Sequence, residues 1–179
     1  MRTLLLTLVL LPHLAFAQNP PQRQAPPRPC PTRAEARQFD FWIGDWEVTP
    51  WQQPPGASMR ILGTNRVEPL LEQCLLMENW TDAGGRGGKS MNFWDVNRKK
   101  WRQVWVADVG GSLDYEGEFR DGAMRFEGWT LAPNGARVLQ KLTFFPIARD
   151  TVRQLFETST DSGRTWTPGF DGRYVRRKP

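Results

Sequence analysis

The sequence predicts an all-β protein, an antiparallel meander β-barrel of eight to ten strands in which a short N-terminal helix closes one end. Turn-forming residues recur at short intervals from Phe39 onward, and the runs between them are rich in Val, Phe, Trp, Tyr and Thr, the pattern of a sandwich or barrel built from many short strands. No internal repeat of 20–50 residues is visible, which argues against a propeller. Two neighbouring runs, residues 112–120 and 123–130, also alternate as a hairpin with one buried and one solvated face should.

The N-terminal part is predicted to be a leader followed by a spacer. Residues 1–17 have the pattern of a signal peptide, with a basic residue, an apolar run and an Ala-Phe-Ala cleavage site that ends at Ala17. The apolar run is too short to cross a bilayer, so we expect no membrane insertion, although an uncleaved anchor is the alternative. Residues 18–31 are rich in Pro and Gln and are predicted to be an extended linker. Residues 32–178 then form a single barrel domain of a secreted or periplasmic protein.

The composition excludes several classes of chemistry. The one histidine, His13, lies in the predicted leader, so the remaining chain has no imidazole base, no Ser-His-Asp triad and no histidine ligand for zinc or haem. We therefore expect no cofactor and no metal. The net charge of +5 and the basic clusters at residues 98–100 and 173–178 could suggest nucleic acid. Secretion argues against that partner, and the clusters have the positions of a hairpin tip and a strand end.

Two cysteines, Cys30 and Cys74, lie outside the leader. An even pair in a secreted chain favours one disulfide, which would fasten the spacer to the barrel wall. The alternative is a pair of free thiols that bind metal or act in redox chemistry. Without histidine, and without Cys-x-x-Cys spacing, two thiols make a weak metal site.

The first elements of the domain are predicted to close one end of the barrel. Residues 32–38 can form one or two helical turns, with Thr32 as a cap and Glu35 three residues later. Residues 39–48 are the densest apolar segment, and they lead into the first strand. Gly44 allows a close approach of a neighbouring element, and Trp46 is predicted to be a structural plug.

The hairpin after this point can be predicted residue by residue. Asp121-Gly122 is a strong two-residue turn signal. Pairing across it places Phe119 opposite Met124 and Gly117 opposite Phe126 on an apolar face, while the other face is mostly charged. A slip by one residue would bring acids into the core, so the alternation also specifies the register.

Outward-facing charges assign an inward set on the other strands. It consists of Met59, Ile61, Asn65, Val67, Trp101, Gln103, Trp105, Ala107, Val138, Gln140, Leu142, Phe144, Val152, Gln154, Phe156, Phe170 and Tyr174. The third and fourth strands, residues 74–81 and 89–96, are apolar on both faces and are not oriented by this argument. Trp42, Trp46, Trp101 and Trp105 are assigned to the core, whereas Trp80, Trp94, Trp129 and Trp166 are left open.

The inward set is aromatic, with a few neutral amides and no secure cation. Such a lumen suits a small apolar or neutral ligand better than a fatty acid, because a buried carboxylate needs a charge partner. The candidate ligand-binding residues are Gln103, Trp105, Tyr115, Phe126, Gln140, Gln154 and Phe156. The competing interpretation is a filled barrel, which an eight-stranded wall favours because it barely encloses its own side chains; ten strands make a cavity more plausible.

Two other function classes remain open. A cell-envelope enzyme could use paired carboxylates, Glu78 with Asp108 or Glu116, whereas a filled barrel could serve as a protein-interaction module through its Trp-rich surface or basic tail. The acid run at residues 114–118 is interpreted as a solvated face. The Gly-rich residues 82–88 are predicted to be a mobile loop at the barrel mouth that controls access.

Several segments carry a family resemblance. Gly44-x-Trp46 on a first strand resembles the signature of the calycin superfamily, which includes lipocalins and fatty-acid-binding proteins. Five segments more closely resemble a group of secreted bacterial proteins of similar size: FDFWIGDWEV, LLEQCLLMENW, KKWRQVWVADVGG, YEGEFRDGAMRFEG and GFDGRYVRR. The resemblance implies a calycin-like barrel of eight to ten strands, and it carries over no catalytic residue.

Overall fold

The computed structural model describes residues 30–178, and these form a closed barrel of ten antiparallel strands. Each strand pairs with its neighbours in sequence, and the last strand closes the barrel on the first. The strands are β1 (Gly44–Pro50), β2 (Gly63–Leu70), β3 (Leu75–Asp82), β4 (Gly87–Asp95), β5 (Lys100–Ala107), β6 (Ser112–Arg120), β7 (Ala123–Leu131), β8 (Arg137–Ala148), β9 (Thr151–Ser159) and β10 (Thr167–Arg176). The predicted all-β meander is confirmed, with the strand count at the upper end of the expected range. The predicted leader, residues 1–17, lies outside the described residues, as does nearly all of the linker.

The β6–β7 hairpin has the predicted register. Phe119 lies opposite Met124 and Gly117 opposite Phe126. Asp121 and Gly122 both have positive φ angles, 51° and 71°, as the mirror-image turn of a two-residue hairpin requires. The acid run faces outward, where Arg102 pairs with Asp114, Arg98 with Glu116 and Lys100 with Glu118. The solvated-face interpretation is therefore confirmed.

Aromatic side chains fill one end of the barrel. Two short 3₁₀ helices, Glu35–Arg37 and Asp40–Trp42, precede β1, and the residue that caps the first is Ala34 rather than the predicted Thr32. Phe39, Trp42 and Trp46 expose no surface to solvent. Their rings pack in a cluster with Trp101, Phe126 and Phe144, with the Trp42 and Phe144 rings 4.5 Å apart between centroids. This end is a packed core.

Arg176 at the end of β10 covers the outside of this plug. Its guanidinium lies 4.2 Å from the centre of a Trp46 ring, donates to the Ile43 carbonyl oxygen at 2.7 Å and pairs with Asp150 at 2.9 Å. A Cβ at Gly44 would overlap this guanidinium. Gly44 is therefore required for a close approach, as well as for its φ of 143°.

We expect Arg176→Met to lower the free energy of unfolding by roughly 1–2 kcal/mol, because it removes the cation–π contact and a charged hydrogen bond but keeps the aliphatic stem. Urea denaturation measures this loss. Arg173→Met, at an exposed position of the same strand, should change stability by less than about 0.5 kcal/mol. Equal effects of the two substitutions would contradict the assigned role of Arg176.

A disulfide joins Cys30 to Cys74, as predicted. Cys74 ends the turn between β2 and β3, so the bond fastens the start of the described chain to the barrel wall. Arg37 adds a hydrogen bond to the Gln73 carbonyl oxygen in the same turn. Leu71, Glu72 and Gln73 all have positive φ angles, an arrangement that non-glycine residues adopt rarely.

The predicted inward orientation of two residues before β2 was wrong. Met59 and Ile61 do not face inward: they are 74% and 46% exposed and belong to the connection, residues 51–62, that precedes β2. The error arose because the inward–outward alternation of β2 was continued to residues before Gly63, where the strand begins. Residues 83–86 form the turn between β3 and β4, as the predicted loop at 82–88 requires, and Asp82 Oδ1 holds this turn by accepting hydrogen bonds from the backbone N–H groups of Gly84 and Arg86.

Candidate functional site

The half of the barrel away from the plug contains a cavity of about 410 Å³. The filled-barrel interpretation is therefore wrong for this half, and ten strands provide the extra circumference that makes room. Strand β5 runs through both halves of the barrel. On one face of this strand, Trp101 is buried in the plug and Trp105 lines the cavity. The lining consists of Leu62, Glu78, Trp80, Asp82, Gln103, Trp105, Leu113, Tyr115, Leu142, Gln154, Phe156, Phe170 and Tyr174.

Five of the seven predicted ligand-binding residues line this cavity: Gln103, Trp105, Tyr115, Gln154 and Phe156. Gln140 is not in this lining. It lies in a neighbouring pocket that also includes Trp105 and Leu113, and its Oε1 accepts a hydrogen bond of 2.7 Å from the Tyr115 hydroxyl. Phe126 lies in the packed core instead, 1% exposed and in contact with Phe39 and Phe144. Phe126 is therefore part of the plug and does not line the cavity.

Glycines on neighbouring strands keep the aromatic rings against the wall. The Trp105 indole lies over Gly88, and a Cβ at that position would overlap the ring. Tyr115 covers Gly128 in the same way, and Phe156 lies against Gly169. Because each ring occupies the space of a missing side chain, it projects less into the lumen, and the cavity stays open.

The tryptophans that the sequence left open have different surroundings. Trp80 lines the cavity, whereas Trp94 packs against the core. Trp129 is 45% exposed beneath the guanidinium of Arg137, and Trp166 lies beneath the Lys141 ammonium group. Of these four tryptophans, Trp80 is the one that lines the cavity.

Among the described cavity residues, Glu78 is the one whose shifted pKa lies near neutral pH. It is 4% exposed, and its two carboxyl oxygens accept hydrogen bonds from Asn65 Nδ2 at 2.9 Å and from Ser90 Oγ at 2.6 Å. Burial raises the pKa of Glu78 to about 7, although the hydrogen bonds from Ser90 and Asn65 act in the opposite direction. Glu78 is therefore a carboxyl group that changes its charge near neutral pH.

A row of neutral dipoles points toward Glu78. Gln103 Nε2 donates to Asn92 Oδ1 at 2.8 Å, Asn92 Nδ2 donates to Ser90 Oγ at 2.7 Å, and the Ser90 hydroxyl donates to Glu78 Oε2. Every donor in this row is directed toward the carboxyl group. The arrangement favours the carboxylate, and hydrogen bonds of this kind partly replace its lost hydration.

The Asn65 amide provides a second, reversible partner for Glu78. Its Nδ2 donates to the carboxylate, while its Oδ1 is buried and has no hydrogen-bond partner among residues 30–178. Rotation of the amide by 180° would present Oδ1 to a protonated Glu78, which could then donate. The same side chain can therefore hold either charge state of the carboxyl group.

The other polar groups of the cavity are neutral or lie at its rim. Burial raises the pKa of Tyr115, and burial together with the nearby charge of Glu78 raises that of Tyr174. The Tyr174 hydroxyl donates to Gln154 Oε1. Asp82 holds the β3–β4 turn. Within residues 30–178 no lysine or arginine lines the cavity or pairs with Glu78.

The carboxylate pairs suggested for catalysis are not assembled. Asp108 is 44% exposed beside Arg86, and Glu116 is 51% exposed beside Arg98, whereas Glu78 is inside. In the described part of the chain, no three His, Cys, Asp or Glu side chains form a group that could hold a metal ion.

Sequence reasoning named Glu78 only as a candidate catalytic carboxylate and left Trp80 open. It missed Ser90 and Asn92, because β3 and β4 were left without an orientation. The orientation of β2 was available from the sequence, whereas the β2–β3 register was not. Asn65 and Val67 were correctly predicted to face inward, and they pair with Trp80 and Glu78. Directly paired residues share a face of the sheet, so the β2–β3 register would have placed both side chains inside.

Comparison with known proteins identifies no family for this chain. No family model matches the chain, and no curated protein sequence matches it significantly. Across residues 30–178, none of the helices has the length and apolar character that a bilayer crossing needs. The closed, ten-stranded antiparallel meander is compatible with a calycin-like fold.

Proposed function

We propose that the protein is a secreted or periplasmic barrel that binds one small, predominantly apolar molecule in its lumen. The observation that carries the proposal is the cavity of about 410 Å³, whose wall is largely aromatic with a few convergent polar groups. Pockets for small organic molecules commonly have this size and this composition. The disulfide supports a location in an oxidising compartment.

The chemistry of the wall narrows the ligand class. Trp80, Trp105, Phe156 and Phe170 offer large apolar surfaces that favour aromatic or aliphatic groups. A carboxylate ligand would lie in the same lumen as Glu78 without a lysine or arginine to compensate its charge, so fatty acids are disfavoured. A hydroxyl, amide or amine is compatible with the available acceptors.

Filling part of the cavity should weaken binding of an apolar probe. N-phenyl-1-naphthylamine fluoresces strongly in dry, apolar surroundings, and titration should show one saturable site in the wild-type protein. Leu113→Trp places a larger side chain in the lumen and should weaken this binding at least about tenfold, the equivalent of 1.4 kcal/mol.

Val106→Trp is the matched control, because Val106 is 50% exposed on the adjacent strand β5. It adds the same indole on the outside and should leave probe affinity within about twofold. Circular dichroism of both variants verifies the barrel. Absence of a saturable site in the folded wild-type protein, or equal loss in both variants, would contradict lumenal binding.

A further inference from the structure

We propose that the ligand of this lumen carries one basic nitrogen, and that its ammonium group pairs with Glu78 while its apolar part packs against the aromatic wall. The inference rests on the proposed lumenal binding and names the head group that the site selects. It follows from three features: a built carboxylate site, the lack of a cation from the protein, and aromatic rings around the remaining space.

The carboxylate site is organised before any ligand arrives. Ser90 and Asn65 hold one carboxyl oxygen each, and the row from Gln103 through Asn92 aligns the Ser90 hydroxyl. Such a set of donors stabilises a negative charge at a defined position. A neutral amide at position 78 could accept hydrogen bonds without placing a charge inside the barrel, so the carboxyl group itself calls for a functional explanation.

The negative charge has no partner among the described side chains. Buried carboxylates are normally compensated by a cation, yet no lysine or arginine of residues 30–178 lies within ion-pair distance of Glu78. Asn65 holds the carboxyl group through Nδ2, and its Oδ1 has no donor among residues 30–178. An ammonium group supplies both the missing charge and up to three N–H donors.

The rest of the lining suits a cation at this position. Trp80, Trp105 and Tyr174 present ring surfaces to the same cavity, and aromatic faces attract ammonium groups through their quadrupoles. A bound amine makes the site electrically neutral, whereas an alcohol leaves the charge of Glu78 uncompensated and a carboxylate doubles it. The site should therefore rank amine above alcohol and alcohol above carboxylate.

Binding of an ammonium is coupled to a proton. Glu78 has a pKa of about 7 in the free protein, and pairing with an ammonium requires the ionised form. Below pH 7, binding therefore releases one proton from Glu78, and above it none. The other titratable groups of the cavity are Tyr115 and Tyr174, whose pKa values are raised, and Asp82, which hydrogen-bonds to its own turn. Affinity for the amine should be about tenfold weaker at pH 6 than at pH 8.

The test uses three probes with one apolar group: 4-phenylbutylamine, 4-phenylbutan-1-ol and 4-phenylbutanoate. Calorimetry and displacement of N-phenyl-1-naphthylamine measure their affinities at pH 6, 7 and 8. In the wild-type protein we expect the amine to bind at least about tenfold tighter than the alcohol at pH 8. Calorimetry in two buffers of different ionisation enthalpy should show nearly one proton released at pH 6.

Glu78→Gln should remove the amine preference and its pH dependence, and leave alcohol affinity within about threefold. Glu127→Gln removes the same charge from an exposed position on β7. It changes the net charge equally but should leave the preference for the amine over the alcohol unchanged. If Glu78→Gln does not fold, the pH profile and the proton release of the wild-type protein still decide.

The outcomes separate the two proposals. Amine affinity equal to that of the alcohol, or independent of pH, overturns the amine inference while lumenal binding stands. Tighter binding of the carboxylate also overturns it. If neither the fluorescent probe nor the alcohol binds, the lumenal function itself fails, and the head-group inference with it.

Discussion

Trp101→Ala should lower the free energy of unfolding by about 3–5 kcal/mol, whereas Trp105→Ala, four residues further along the same face of β5, should lower it by less than about 2 kcal/mol. Trp101 is 1% exposed and packs against Phe39 in the plug. Trp105 is half-buried and lines the empty part of the barrel. Its truncation enlarges an existing cavity and removes fewer packed neighbours.

The effects on binding should be reversed. Trp105→Ala removes a wall of the cavity and should weaken binding of N-phenyl-1-naphthylamine at least about tenfold. Trp101→Ala should leave the affinity of the folded fraction within about twofold. Chemical denaturation and probe titration on both variants measure the two quantities. Parallel losses of stability and affinity at both positions would contradict the division of the barrel into a plug and a binding half.

Glu78→Gln should stabilise the protein by about 3 kcal/mol above pH 8 and have little effect near pH 4. The carboxyl group has a pKa of about 7 in the folded protein and an ordinary value of 4.5. Well below pH 4.5 the carboxyl group is protonated in both the folded and unfolded states, so it does not lower the free energy of unfolding. Between pH 4.5 and 7 the folded state binds more protons, so stability falls as the pH rises.

This direction is opposite to that of the surface carboxyl groups. Asp161, held by Thr165 and Ser159, has its pKa lowered to about 2, so it loses stabilising contacts as the pH falls. The difference between the wild-type and Glu78→Gln proteins cancels such contributions. Thermal unfolding at pH 4 to 9 measures it. A difference that does not grow with pH would show that Glu78 has an ordinary pKa and is not buried in the lumen.

The sequence was most informative where charge and turn chemistry agree. The β6–β7 hairpin has acids on one face, aromatics on the other and an Asp-Gly turn between the strands, so its register was predicted correctly. The same logic placed Gln103, Tyr115 and Gln154 inside the barrel. Period-two alternation is a direct physical consequence of strand geometry, and it holds wherever one face is clearly charged.

The sequence was least informative at β3, where the functional carboxyl group lies. The turn before it contains Leu71, Glu72 and Gln73 with positive φ angles and no glycine, so no turn signal specified the β2–β3 register. Glu78 also contradicts the rule that acids face outward. A buried acid is held by partners on two other strands, Asn65 and Ser90, and such an arrangement is visible only in three dimensions.

A crystal structure of the protein with N-phenyl-1-naphthylamine tests lumenal binding most directly. We predict that the probe lies inside the barrel, in contact with Trp80, Trp105 and Phe156, with the plug around Trp46 unchanged. A probe bound only to the outer surface, with the lumen holding water or closed by its own side chains, would contradict the account.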